Sequence, residues 1–130
     1  MDLVSLTRAD AKRQSGPTDL APLLGRWVNV NPATDYLVRV DVAAGETAGA
    51  GLRLRVYGAG SDGPVDWGEA EVAAYTDNLG ELAFLAVYDR PGLHSVLAAN
   101  TNKGLVVIAA FHRFADGRPG FLCREFYYRE

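Results

Sequence analysis

The sequence predicts an all-β fold: an eight-stranded up-and-down antiparallel β-barrel with a short N-terminal arm or helix. Three observations point there. From Gly25 onward apolar and polar residues alternate with a period of two, the signature of half-buried strands. Eight such segments follow, each bounded by turn chemistry. The connections are short, and closure removes the edges that an open sheet of eight strands would expose. A two-sheet sandwich also uses short strands, but long Greek-key connections are missing.

Taken in order, residues 1–19 form the arm and residues 20–130 the barrel domain. Asp2–Arg13 reads as a short helix stopped by Ser15-Gly16-Pro17. Thr18 or Asp19 then caps a single turn through Leu20–Leu24. The first strand is Arg26–Asn31, ended by Pro32. The second is Tyr36–Val42, followed by an Ala/Gly loop over 43–51. The third is Leu52–Tyr57, leading into the Gly-rich run 58–63. The fourth is Trp67–Tyr75 and the fifth Leu82–Tyr88. Arg90-Pro91-Gly92 turns the chain tightly into the sixth, Leu93–Asn100. The seventh is Leu105–Phe114, and Asp116–Gly120 leads to the eighth, Phe121–Arg129.

Side-chain parity follows. Val38, Val40 and Val42 share one face, with Arg39 and Asp41 on the other. Leu52, Leu54 and Val56 oppose Arg53, Arg55 and Tyr57. Ala70, Val72 and Ala74 oppose Glu69, Glu71 and Tyr75. The charged face reads as a solvated cross-strand ladder, each pair contributing a few tenths to ~1 kcal/mol. The glutamates beside the arginines argue against an anion site there. The seventh strand, Val106–Phe111, is apolar on both faces. Its outer face therefore needs a cover, either the N-terminal arm or a second subunit, and a homodimer through strand 105–114 is expected.

Composition excludes several classes. The 130 residues carry a net charge of −3, which argues against a dedicated nucleic-acid binder. One cysteine, Cys123, rules out an internal disulfide and a Cys-rich zinc site, and reads as a small buried hydrophobe. Eleven Arg against two Lys resembles the usage of a GC-rich bacterial genome. No apolar run approaches the ~20 residues that span a membrane, and no signal-peptide core is visible, so a cytoplasmic location is expected. Gly-x-Ser-x-Gly, P-loop, dinucleotide and His-Glu-x-x-His motifs are missing, and no cofactor or metal is expected.

Leu24-Gly25-Arg26-Trp27-Val28-Asn29 places a Gly-x-Trp at the start of the first strand. It resembles the calycin superfamily of lipocalins, fatty-acid-binding proteins and avidins. The resemblance implies that Trp27 closes the barrel bottom and that a late arginine, matched here by Arg124, packs across it. The Leu-Gly-x-Trp-x-Asn form is most similar to avidins, which would give Asn29 a ligand-binding role. Biotin itself is not implied, because the avidins' later tryptophans are missing and only Trp67 remains. Val65-Asp66-Trp67-Gly68 after a Gly-rich loop resembles an element of small bacterial lipocalin-like domains.

The candidate chemistry is sparse. His94 opens the sixth strand and His112 ends the seventh; either can act as acid, base or ligand, but neither has metal-site spacing. Asn29 shares the parity of Trp27 and is expected to face the lumen, where its amide needs partners. Tyr88 and Tyr128 lie near strand ends and suit a partly polar organic ligand. The leading expectation is a small-molecule-binding barrel lined by Asn29, Trp67, Tyr88, Arg124 and Tyr128 together with His94 and His112. The alternatives are a cofactor-free cyclase or isomerase of bacterial secondary metabolism, using His94 or His112, and a homo-oligomeric interaction module.

Overall fold

The computed structural model describes residues 19–45 and 51–130. The expected helix over 2–13 and nearly all of the arm lie outside the described residues, as does the loop 46–50. A 3-10 turn, Ala21–Leu23, precedes eight strands: β1 (Gly25–Asn29), β2 (Leu37–Ala44), β3 (Leu52–Gly58), β4 (Val65–Thr76), β5 (Leu82–Arg90), β6 (Leu93–Asn102), β7 (Leu105–Phe114) and β8 (Phe121–Arg129). Each strand pairs antiparallel with the next. Trp27↔Arg129 and Asn29↔Tyr127 pair β1 with β8 and close the barrel. The eight-stranded up-and-down barrel is thus the fold.

Alternation decides what is inside. Val40, Val42, Leu52, Leu54, Val56, Phe84, Leu97, Val106, Ile108 and Tyr127 fill the interior, each almost fully buried. Side chains therefore fill the lower barrel. In β2 the pattern departs from expectation. A register shift between Leu37 and Arg39 puts Leu37 in the core and leaves Val38 half-buried.

The bottom is closed as the Gly-x-Trp segment implied, with one correction. Trp27 is buried, and its indole N–H donates to the Leu23 carbonyl at 2.8 Å, tying the 3-10 turn across the opening. The arginine over its ring is Arg129, at 4.9 Å, not Arg124. Arg129 also donates to the Pro22 carbonyl. The reason is parity. Residues 121, 123, 125, 127 and 129 of β8 face one way, and Arg124 lies on the outside over Phe126.

Two irregularities shape the top. Between Arg55 and Tyr57 the β3–β4 register slips, because Gly68 is an extra residue at φ +88°, a β-bulge. The bulge reverses parity, so Trp67 turns inward although Glu69, at the same parity, lies outside. Among the described residues the β4–β5 ladder runs only from Ala73↔Leu85 to Thr76↔Leu82. Above it the two strands part, and Trp67 and Tyr88 fill the opening, with ring centroids 5.7 Å apart.

The outer surface divides by charge. On β1 to β4, Arg39–Asp41 (2.7 Å), Arg55–Asp66 (2.6 Å) and Arg55–Glu69 (3.5 Å) form the expected solvated ladder. On β5 to β8 the register aligns apolar rows: Val87, Val96, Phe111 and Leu122 in one, Leu85, Ala98 and Ala109 in the next. Phe111 is 48% exposed and Leu122 56%. No helix among the described residues is long and apolar enough to cross a membrane, which says nothing about strands.

Candidate functional site

The top of the barrel holds a cavity of about 270 Å³, at the low end of the ~300–1,000 Å³ usual for small-molecule sites. Its walls come from every hairpin that reaches this end. The β1–β2 loop supplies Asp35 and Tyr36, β4 supplies Trp67, and the β5–β6 turn supplies Arg90 and Leu93. The β7–β8 connection supplies His112, Phe114 and Phe121.

Local sequence explains each placement. β1 stops at Asn29, so the upper half of β8 has a strand on its β7 side and none on its β1 side. The 30–36 loop takes that place. Thr34 donates its hydroxyl to the Glu125 carboxylate at 2.8 Å, and its oxygen accepts the Tyr36 N–H at 3.1 Å. Tyr36 is thereby set against Phe121, with centroids 5.4 Å apart. At β3, Gly58 is required for space: a Cβ there would lie 2.8 Å from the Trp67 indole nitrogen. Arg90 and Leu93 flank a two-residue turn in which Pro91 precedes Gly92 at φ +80°, a type II arrangement.

His112 forms the polar floor. It is 5% exposed, and Ser95, fully buried on the paired strand, lies 2.8 Å from its Nδ1 through Oγ. Its Nε2 faces the Cys123 thiol at 3.8 Å. Phe121 lies 4.8 Å from the imidazole, Tyr36 stacks at 6.3 Å, and Trp67 presents an edge at 6.4 Å. Burial holds the His112 pKa below its ordinary value, so the ring is neutral at neutral pH. Burial, with Glu125 nearby, pushes the Cys123 thiol up to about 11, which makes it an inert neighbour rather than a nucleophile.

The other expected residues separate into three groups. Trp67 joins His112 in the cavity wall. Tyr88 is directly beneath: it is buried, its hydroxyl lies 3.0 Å from the Gly68 carbonyl, and its pKa is pushed up to about 12 by burial. Asn29 is buried but committed to backbone. Its amide donates to the Leu37 carbonyl at 2.9 Å and accepts the Asn31 N–H at 2.8 Å, so it holds the β1–β2 turn.

His94, Arg124 and Tyr128 correct the expected lumen set. All three point outward, because inward residues are odd-numbered on β6, even on β7 and odd on β8. His94 pairs with Asp89 on the surface and shares no site with His112. Tyr36, Phe114, Phe121, Ser95 and Arg90 were not among the expected site residues. Arg90 shares the parity of Tyr88, and Ser95 that of Leu97, so alternation alone would have placed both inside.

Among the described residues no group of three or more His, Cys, Asp or Glu side chains is arranged to hold a metal. No family model, curated protein or solved structure matches this chain. The geometry therefore carries the functional reading.

The lowered pKa of His112 has a thermodynamic consequence. As pH falls, the unfolded chain takes up the proton first, near the ordinary value of about 6.5. The stability owed to neutral His112 is complete above that pH and is lost as pH drops toward the folded-state value. Urea unfolding at about pH 7.5 and about pH 5.5 is expected to show a smaller difference in His112→Gln than in the natural protein. An equal difference in both proteins would remove His112 as the cause.

Proposed function

We propose that this protein is a calycin-like barrel that binds a small, planar, largely apolar organic molecule at its mouth. One observation carries the reading. Tyr36, Trp67, Phe114 and Phe121 converge on a cavity of about 270 Å³ with a single buried hydrogen-bonding side chain, His112, at its floor. Aromatic walls suit ring-containing ligands, and the neutral imidazole, its nitrogens turned to Ser95 and Cys123, adds another ring face. The unpaired thiol of Cys123 supports a reducing compartment such as a bacterial cytoplasm.

Cofactor-free acid–base chemistry, as in a cyclase or isomerase of secondary metabolism, is the second reading. The contact between Ser95 and His112 favours it. A buried base whose Nδ1 is fixed by a neighbour is oriented for proton transfer, and its lowered pKa keeps the base form present at neutral pH.

For the outer face of β5 to β8 we propose a second copy of the chain. One aligned apolar row spans four strands and a second spans β5 to β7 beside Arg124 on β8, the chemistry of a homodimer surface. Light scattering is expected to give twice the chain mass, falling to one chain in Leu122→Glu. A natural chain that runs as a monomer would contradict this.

The mouth site is tested with 2-naphthamide, a neutral two-ring probe, by calorimetry. Saturable one-to-one binding is expected. Trp67→Ala is expected to weaken it roughly five- to tenfold, from loss of about 1 kcal/mol of ring stacking. Val87→Ser on the outer face is expected to leave it unchanged. No binding, or binding indifferent to Trp67→Ala, would contradict the reading.

A further inference from the structure

We infer that the ligand of the mouth carries a single carboxylate, and that Arg90 is the residue that anchors it. The inference rests on the mouth being a binding site and names the chemical class the site selects.

Arg26, Arg39, Arg53, Arg55 and Arg118 each have a carboxylate within ion-pairing distance. Those pairs are solvated and lie on the outer surface or in loops. Arg90 differs in both respects. It is at an inward position at the end of β5, it lines the cavity, and no carboxylate pairs with it among the described residues. Its guanidinium carbon lies over Trp67, 4.8 Å from the ring centroid.

That contact holds the guanidinium over the indole, and no carboxylate among the described residues takes up its donors. A guanidinium presents its N–H donors in its own plane, in a fork that matches the two oxygens of a carboxylate. Contact with Trp67 thus keeps the Arg90 head at the cavity wall, where its donors can meet a ligand. The type II turn at Pro91-Gly92 restrains the backbone that carries it. The same indole that orients Arg90 forms a wall of the apolar cavity. A ligand whose ring enters between Trp67, Tyr36 and Phe121 can bring a carboxylate attached to that ring up to the Arg90 donors.

The other titratable groups of the cavity limit the ligand to one anionic group. Asp35 stands on the opposite rim, on the β1–β2 loop, and repels a second negative charge. His112, neutral at the floor, offers no charge. The small volume admits one or two rings. An aromatic or conjugated monocarboxylate satisfies all three conditions.

Calorimetry with three probes of one shape tests this: 2-naphthoate, 2-naphthamide and 2-(aminomethyl)naphthalene, at low ionic strength. The naphthoate is expected to bind at least tenfold more tightly than the amide. Arg90→Gln is expected to remove the preference for the naphthoate over the amide, and Arg90→Lys to keep part of it. Equal binding of naphthoate and amide, or a preference that survives Arg90→Gln, overturns the role of Arg90 and leaves the mouth site standing. Tightest binding of the amine assigns the anchor to Asp35 and overturns the inference. Failure of all three probes to bind overturns the mouth site and this inference together.

Discussion

Gly68 sits in β4 at φ +88°, and side chains hold both of its backbone polar groups. Asp66 Oδ1 accepts its N–H at 2.8 Å, and the Tyr88 hydroxyl lies 3.0 Å from its carbonyl oxygen. Arg55 in turn holds the other oxygen of Asp66 at 2.6 Å. A bulge strips its backbone of ladder partners, and buried polar groups left without partners cost about 1–3 kcal/mol each. Here the partners are built in, so the bulge is a stable feature. Its consequence is the inward turn of Trp67. The placement of Arg90, the edge presented to His112 and the shape of the cavity all depend on that one reversal of parity.

The two ends of the barrel solve opposite problems. At the bottom, the Ala21–Leu23 turn, Trp27 and Arg129 cover the core, and each polar group that closure buries meets a backbone partner. At the top, β4 and β5 diverge and β1 stops short, so the ladder cannot close the end. Aromatic side chains and the 30–36 loop fill most of the space and leave a small concave site. The neutral state of His112 belongs to the same design. A charged imidazole would pay for desolvation among Phe121, Tyr36 and Trp67, with only a hydroxyl and a thiol in contact.

The fold was legible because it is written in period two. The Leu52–Val56 and Val106–Ala110 alternations gave strands, faces and core directly, and the Gly25-Arg26-Trp27 segment pointed to the closed bottom. The charged ladder of Arg39, Arg55 and Glu69 followed from the same parity. The site was less legible, for a physical reason. His94, Arg124 and Tyr128 are polar residues at plausible strand positions, but only the phase of each strand decides their side, and that phase depends on pairing with neighbours. Leu37 displaced Val38 because of a register shift that no local pattern reveals. Trp67 was singled out, yet its inward direction depends on Gly68, a bulge signalled only by a glycine inside a strand. Asn29 shows the converse: its lumen-facing parity was right, and its amide was already committed to the turn.

Trp67 is held at the mouth in the space that Gly58 leaves. The most direct measurement is the ¹H–¹⁵N spectrum of Gly58→Ala beside that of the natural protein. A methyl group 2.8 Å from the indole nitrogen must displace the ring. The Trp67 indole N–H resonance is expected to move, with the amides of the mouth, while the Trp27 indole resonance and the lower barrel stay in place and the affinity for 2-naphthamide falls. An unmoved Trp67 resonance with unchanged binding would contradict the account.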